Sequence, residues 1–166
     1  IDLFEKAGSG GGPSAAPVPL EAPVAIVAGS AGNGLSEGDA DRLTECLKPA
    51  VAGTRGTLVS GGTRAGLSRC LADAVEWAAA GGQPVPRLRG YLPRSLSIDV
   101  APDPRYDLVP CGEHDFSPEQ VLGYWRDILA SGIQPSSVTL FGYGGGELSA
   151  VERFLESDPS RRMALI

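Results

Sequence analysis

The segment Leu58–Ser68 constrains this chain more than any other. Leu58-Val59-Ser60 is a short apolar strand, Gly61-Gly62 a turn, and Thr63-Arg64-Ala65-Gly66-Leu67-Ser68 the opening of a helix. A strand that feeds a helix after so short a turn cannot fold back as a hairpin. The helix must carry the chain across the sheet so that the next strand lies parallel. The same turn has a chemical consequence. Glycines let backbone N–H groups approach a ligand, and the free N–H groups and dipole at a helix start favour an anion.

The pattern repeats along the chain. Val24–Ala28 is an apolar run that enters Gly29-Ser30-Ala31-Gly32, and Val138–Gly142 enters Tyr143-Gly144-Gly145-Gly146-Glu147. Helical spacing of apolar residues follows each turn: Leu43, Cys46, Leu47 and Ala50; then Leu67, Cys70, Leu71, Ala74, Val75 and Ala78; then Leu148, Val151, Phe154 and Leu155. Ser36 is an expected N-cap, and Gly81-Gly82 an expected stop. Ser117-Pro118-Glu119-Gln120 spells a capping box with proline at the first helical position, leading a helix with Val121, Tyr124, Trp125, Ile128 and Leu129 on its apolar side. Leu88–Leu92, Tyr106–Val109 and Met163–Ile166 read as further strands. The expected fold is α/β, a Rossmann-like three-layer sandwich with a mostly parallel sheet. Residues 1–22 read as the end of a preceding element plus a flexible Gly/Ser/Pro linker. Residues 23–166 read as one nucleotide-binding domain, truncated at its C-terminus within a larger protein.

Composition narrows the function. A net charge of −6 over 166 residues excludes a basic footprint for nucleic acid. No run is long enough to span a bilayer, so a cytoplasmic setting is expected. The three cysteines have no paired spacing and read as free thiols, with Cys46 and Cys70 on buried helix faces. His114 is the only histidine, and it reads with Glu113 and Asp115 as a polar loop cluster rather than a metal site. The Gly29 turn has neither dinucleotide-fingerprint nor P-loop spacing. No metal or cofactor is expected. The candidate ligand contacts are Gly29, Ser30, Ala31, Gly61, Gly62, Thr63, Arg64, Gly66, Gly144, Gly145, Gly146, Glu147 and Ser149, because right-handed crossovers bring all three turns to one sheet edge.

Gly61-Gly62-Thr63-Arg64-Ala65-Gly66-Leu67 after a strand resembles the phosphate-binding turn of the SLOG superfamily of Rossmann-like nucleotide-binding domains. Asp115-Phe116-Ser117-Pro118, Trp125, Ala130-Ser131-Gly132-Ile133, Pro135 and Phe141-Gly142-Tyr143-Gly144-Gly145-Gly146 are similar to its prokaryotic TRPM-like (LSDAT) branch. The resemblance covers about Val24 to Ile166. It implies a bacterial signalling domain that senses a nucleotide-derived small molecule, such as ADP-ribose or a related NAD product, and is linked to an effector domain. The LOG enzymes of the superfamily carry Gly-Gly-x-Gly-Thr-x-x-Glu. Gly145, Gly146, Glu147, Leu148, Ser149, Ala150, Val151 and Glu152 stand at those positions. Leu148 replaces the third glycine, Ser149 the threonine, and the arginine-containing segment has no counterpart near Arg87–Arg94. Sensing is therefore expected over catalysis. The alternatives are a LOG-type phosphoribohydrolase or N-glycosidase using Glu152, and an oligomerisation scaffold with purely structural glycine turns. The sensing reading leaves room for a homo-oligomer.

Overall fold

The computed structural model describes residues 19–29 and 35–144, and the backbone of 164–165. Strand β1 (Val24–Gly29) leads to helix α1 (Glu37–Val51), β2 (Thr57–Ser60), helix α2 (Gly66–Ala80), β3 (Arg87–Leu92) and β4 (Asp107–Pro110). Helix α3 (Pro118–Ala130), a 3-10 turn at Pro135–Ser137, β5 (Val138–Tyr143) and β6 (Ala164–Leu165) follow. The expected helix bearing Leu148, Val151, Phe154 and Leu155 lies outside the described residues. The sheet order is β4-β3-β2-β1-β5-β6, and every described pairing is parallel.

That order follows from crossover handedness. From β1 the chain steps outward to β4 on one side, then returns across the sheet to place β5 on the other flank of β1. Right-handed connections that step in opposite directions must use opposite faces. Two cores result. On one face Val24, Ile26 and Ala28 of β1 pack with Val121, Tyr124 and Ile128 of α3. On the other Val27 packs with Ala40 and Leu43 of α1 and Leu67, Leu71 and Val75 of α2. Alternate residues of β1 thus serve both layers, which is why its sequence is a continuous apolar run.

Local sequence explains the helix starts. The Ser36 side chain accepts from the Asp39 N–H at 3.2 Å. Ser117 and Gln120 form the anticipated capping box, with Pro118 in the first turn. The link from β3 to β4 is a loop, residues 93–106, with no helix, as expected between those two strands. Two expectations change. Cys46 is exposed rather than buried, whereas Cys70 is buried and directs its thiol toward the Ala40 carbonyl at 3.6 Å. Among the described residues α1 packs against α2 and borders, on its other side, a groove of about 370 Å³ that runs from Cys46 and Leu47 to Phe141 and Tyr143. Second, packing against the core extends N-terminal to β1. Leu20 is a core residue, and its N–H donates to Ser131 Oγ at 3.0 Å.

Candidate functional site

The chain changes direction between β1 and β5, and in open α/β sheets ligands bind beyond the strand C-termini at such a point. A cavity of about 140 Å³ opens beside that point, beyond the C-terminal ends of β1 and β2 rather than between β1 and β5. Ala28 and Gly29 border it from the end of β1, and Ser60, Gly61 and Thr63 from the end of β2. Leu67 and Ser68 contribute the first turn of α2, and Phe116, Ser117 and Gln120 the start of α3. Tyr91 and Tyr124 complete an aromatic wall. Two helices on opposite faces of the sheet therefore point their N-termini at one opening.

The two N-termini are chemically unequal. At α3 the Ser117 N–H donates to Gln120 Oε1 at 2.6 Å, and the Glu119 N–H donates to Ser117 Oγ at 3.3 Å. Gln120 Nε2 donates in turn to the Cys111 carbonyl, tying the cap to the end of β4. Those donors are occupied. At α2 the N-cap is Ala65, whose methyl group cannot accept, and no side-chain cap hydrogen bond forms. A helix leaves its first N–H groups without intrahelical acceptors, and in the first turn of α2 Leu67 and Ser68 border the cavity. Among the described lining residues none carries a charge. An anion here would be met by backbone dipoles and hydroxyls rather than by lysine or arginine.

The candidate residues fall into separate groups. Gly61 and Thr63 line the cavity, and a Cβ on Gly61 would project there, 3.3 Å from Ser68 Oγ and 3.8 Å from the Phe116 ring. Gly62 has φ +71° and its missing Cβ points away, 2.9 Å from Gly90 Cα on β3 and from Leu108 Cδ2. Its glycine is needed for close turn-to-strand packing. Gly29 borders the cavity, but its missing side chain would meet the Tyr143 carbonyl and, at 2.7 Å, Leu67 Cδ2. Gly66 has φ +56° at the start of α2, and Gly144 φ +60° just after β5. Arg64 is exposed and does not border the cavity; its charge acts on Asp103 instead. Ser30, Ala31, Gly145, Gly146, Glu147, Ser149 and Glu152 lie outside the described residues.

Sequence reasoning missed part of the lining. Ser60 and Ser68 are buried, and their hydroxyls lie 2.9 Å apart across the turn. The Tyr106 hydroxyl donates to the Ser68 carbonyl at 2.7 Å, and burial pushes that phenol well above its usual range. Both serines stand within Leu58–Ser68, but their meeting is set by the packing of β2 against α2 and not by their spacing in sequence. Tyr91 came from a strand read only as core. Its hydroxyl donates to Asp127 Oδ2 at 2.9 Å, and burial followed by the Asp127 charge raises its pKa strongly. His114 is exposed, in a bridge with Ser95, and no metal-binding cluster occurs among the described residues. No helix among them is long and apolar enough to cross a membrane.

No model of a known protein family matches the chain, and no curated protein does. Among solved structures the chain is similar to the molybdenum cofactor carrier protein from Chlamydomonas reinhardtii, with 18% identity, 86% of this chain and 75% of that chain covered, and a TM-score of 0.45. It is also similar to the molybdenum cofactor binding protein from the phototrophic bacterium Rippkaea orientalis, at 14% identity, 86% and 88% coverage, and a TM-score of 0.41. The likeness is one of α/β architecture.

Proposed function

We propose that this chain is a SLOG-like sensing domain that binds a nucleotide-derived small molecule of the ADP-ribose class and passes the signal to a linked effector. The observation that carries the reading is the uncapped start of α2 at the cavity, set against the fully capped start of α3. A phosphate oxygen beside Gly61 would accept from the free N–H groups of α2, with the Ser60 and Ser68 hydroxyls beneath it. The cavity of about 140 Å³ is smaller than pockets that enclose a whole drug-sized ligand, roughly 300 Å³ upward. It suits one group of such a molecule, with the rest at the open edge. Its described lining is made of apolar, aromatic, hydroxyl and amide side chains, which suit binding through hydrogen bonds and stacking.

Titration calorimetry with ADP-ribose and AMP tests the assignment. Gly61→Val fills the position beside Phe116 and is expected to lower affinity at least about tenfold while the domain still melts cooperatively. A folded variant with wild-type affinity would show that the ligand sits elsewhere. Prolonged incubation should return the nucleotide intact. Release of a free base or ribose phosphate that disappears in Glu152→Gln would replace sensing with glycosidic hydrolysis.

A further inference from the structure

We infer that Asp103 is a positioning residue for the anion turn, holding Gly61–Thr63 and the start of α2 in one geometry through the segment 101–106. The inference rests on the binding reading above and adds the element that sets its precision. Asp103 is the most deeply buried carboxylate among the described residues, 1% exposed, on a loop that contains no helix of its own.

The loop grips the turn at two places. The Asp103 N–H donates to the Gly62 carbonyl at 2.9 Å, and the Arg64 N–H donates to the Ala101 carbonyl at 2.9 Å. Thr63 is thereby placed opposite Pro102 in an antiparallel bridge that leaves its own N–H and carbonyl on the other side. The turn cannot rotate without breaking both bonds.

The Asp103 side chain fixes the loop itself. Its Oδ1 accepts from the Arg105 N–H and from Nε, each at 3.0 Å, and its Oδ2 accepts from Nη2 at 2.7 Å. Arg105 then reaches across to α2, donating through Nη1 to Asp73 Oδ1 at 2.6 Å and Glu76 Oε2 at 2.8 Å. Tyr106 adds its bond to the Ser68 carbonyl in the first turn of the same helix. The loop is therefore bonded to the turn, to the start of α2 and to its middle. An anion site made of backbone donors depends on their mutual direction, since no flexible charged side chain is there to compensate. A buried carboxylate spent on a planar arginine fork is a means of fixing that direction.

Asp103→Asn keeps the shape and removes the charge, and Arg105→Gln removes the bridge to α2 while leaving the backbone pairing at Gly62. Ile128→Val serves as a control, because it loosens the α3 core on the other face of the sheet, away from the loop and from the cavity lining. Calorimetry uses ADP-ribose and inorganic pyrophosphate, at a temperature where circular dichroism shows every variant folded. Both probes should weaken by the same factor, at least about tenfold, in Asp103→Asn and Arg105→Gln, and keep wild-type affinity in Ile128→Val. Unchanged affinity in Asp103→Asn and Arg105→Gln, or an equal loss in Ile128→Val, would overturn the positioning role and leave the site assignment standing. A wild-type protein that binds neither probe would instead remove the functional reading and this inference with it.

Discussion

Gly61 and Gly62 are neighbours with different reasons to be glycine. The Gly61 Cβ direction faces the cavity, where Ser68 Oγ at 3.3 Å has only to give a little. Gly62 combines φ +71° with a position 2.9 Å from the backbone of Gly90. A side chain there adds backbone strain of about 1–3 kcal/mol and overpacking of similar size. Gly62→Ala should therefore lower the urea midpoint markedly, by the equivalent of roughly 2 kcal/mol or more, whereas Gly61→Ala should stay within about 1 kcal/mol of wild type. Equal losses in the two variants would contradict this division. In sequence the pair reads as a single motif, because the direction of a missing Cβ depends on the strand beside it.

At the scale of elements, the helix caps and the Asp103–Arg105 loop make opposite demands on sequence reading. The α3 cap is spelled locally by Ser117, Pro118 and Gln120 and forms as spelled. Ser117→Ala should cost about 1 kcal/mol, read as a lower melting temperature, and should leave the α2 donors unaffected. The Asp103 contact is partly non-local, since its arginine also joins residues of α2 some thirty positions away. Burial alone would raise the Asp103 carboxyl, but the hydrogen bonds from the Arg105 side chain and N–H, with its charge, hold it below the usual carboxylate range. A depressed folded-state pKa contributes stability that is present above the unfolded value, about 3.9, and is lost as pH falls through the folded value. The stability gap between wild type and Asp103→Asn should accordingly persist from neutral pH to about pH 4 and shrink below it. Chemical denaturation at a series of pH values measures the gap, and a gap constant to pH 2 would contradict the account.

At the scale of the molecule, the overall charge of −6 surrounds a cavity without charged lining residues among those described. A site built on lysine and arginine loses affinity for anions as salt rises. Here salt screens the repulsion between an acidic protein and an anionic ligand, while buried backbone donors are screened little. ADP-ribose affinity should stay level or rise between low and physiological ionic strength, and a steep fall in calorimetry would point to an unrecognised cationic contact. The N-terminal boundary can be checked by deletion. Removal of residues 1–19 should leave the melting temperature nearly unchanged. Removal of 1–21 also takes Leu20 from the core and the Glu21 N–H bond to Thr57 Oγ1, and should cost roughly 2 kcal/mol or more.

The α/β class, the element order and the helix caps were readable from local features: apolar runs of strand length, 3.6-residue periodicity, and capping residues that act within one turn of themselves. The sheet edge that would carry the ligand followed from crossover handedness alone. Tertiary structure decided what depends on neighbours distant in sequence. It moved Arg64 outside the cavity, gave Gly62 to Gly90, brought Phe116 opposite Gly61, and seated Asp103 beneath the turn. Local propensity records how a residue treats its own backbone. What approaches its side chain is set only when strands and helices far apart in the chain have packed.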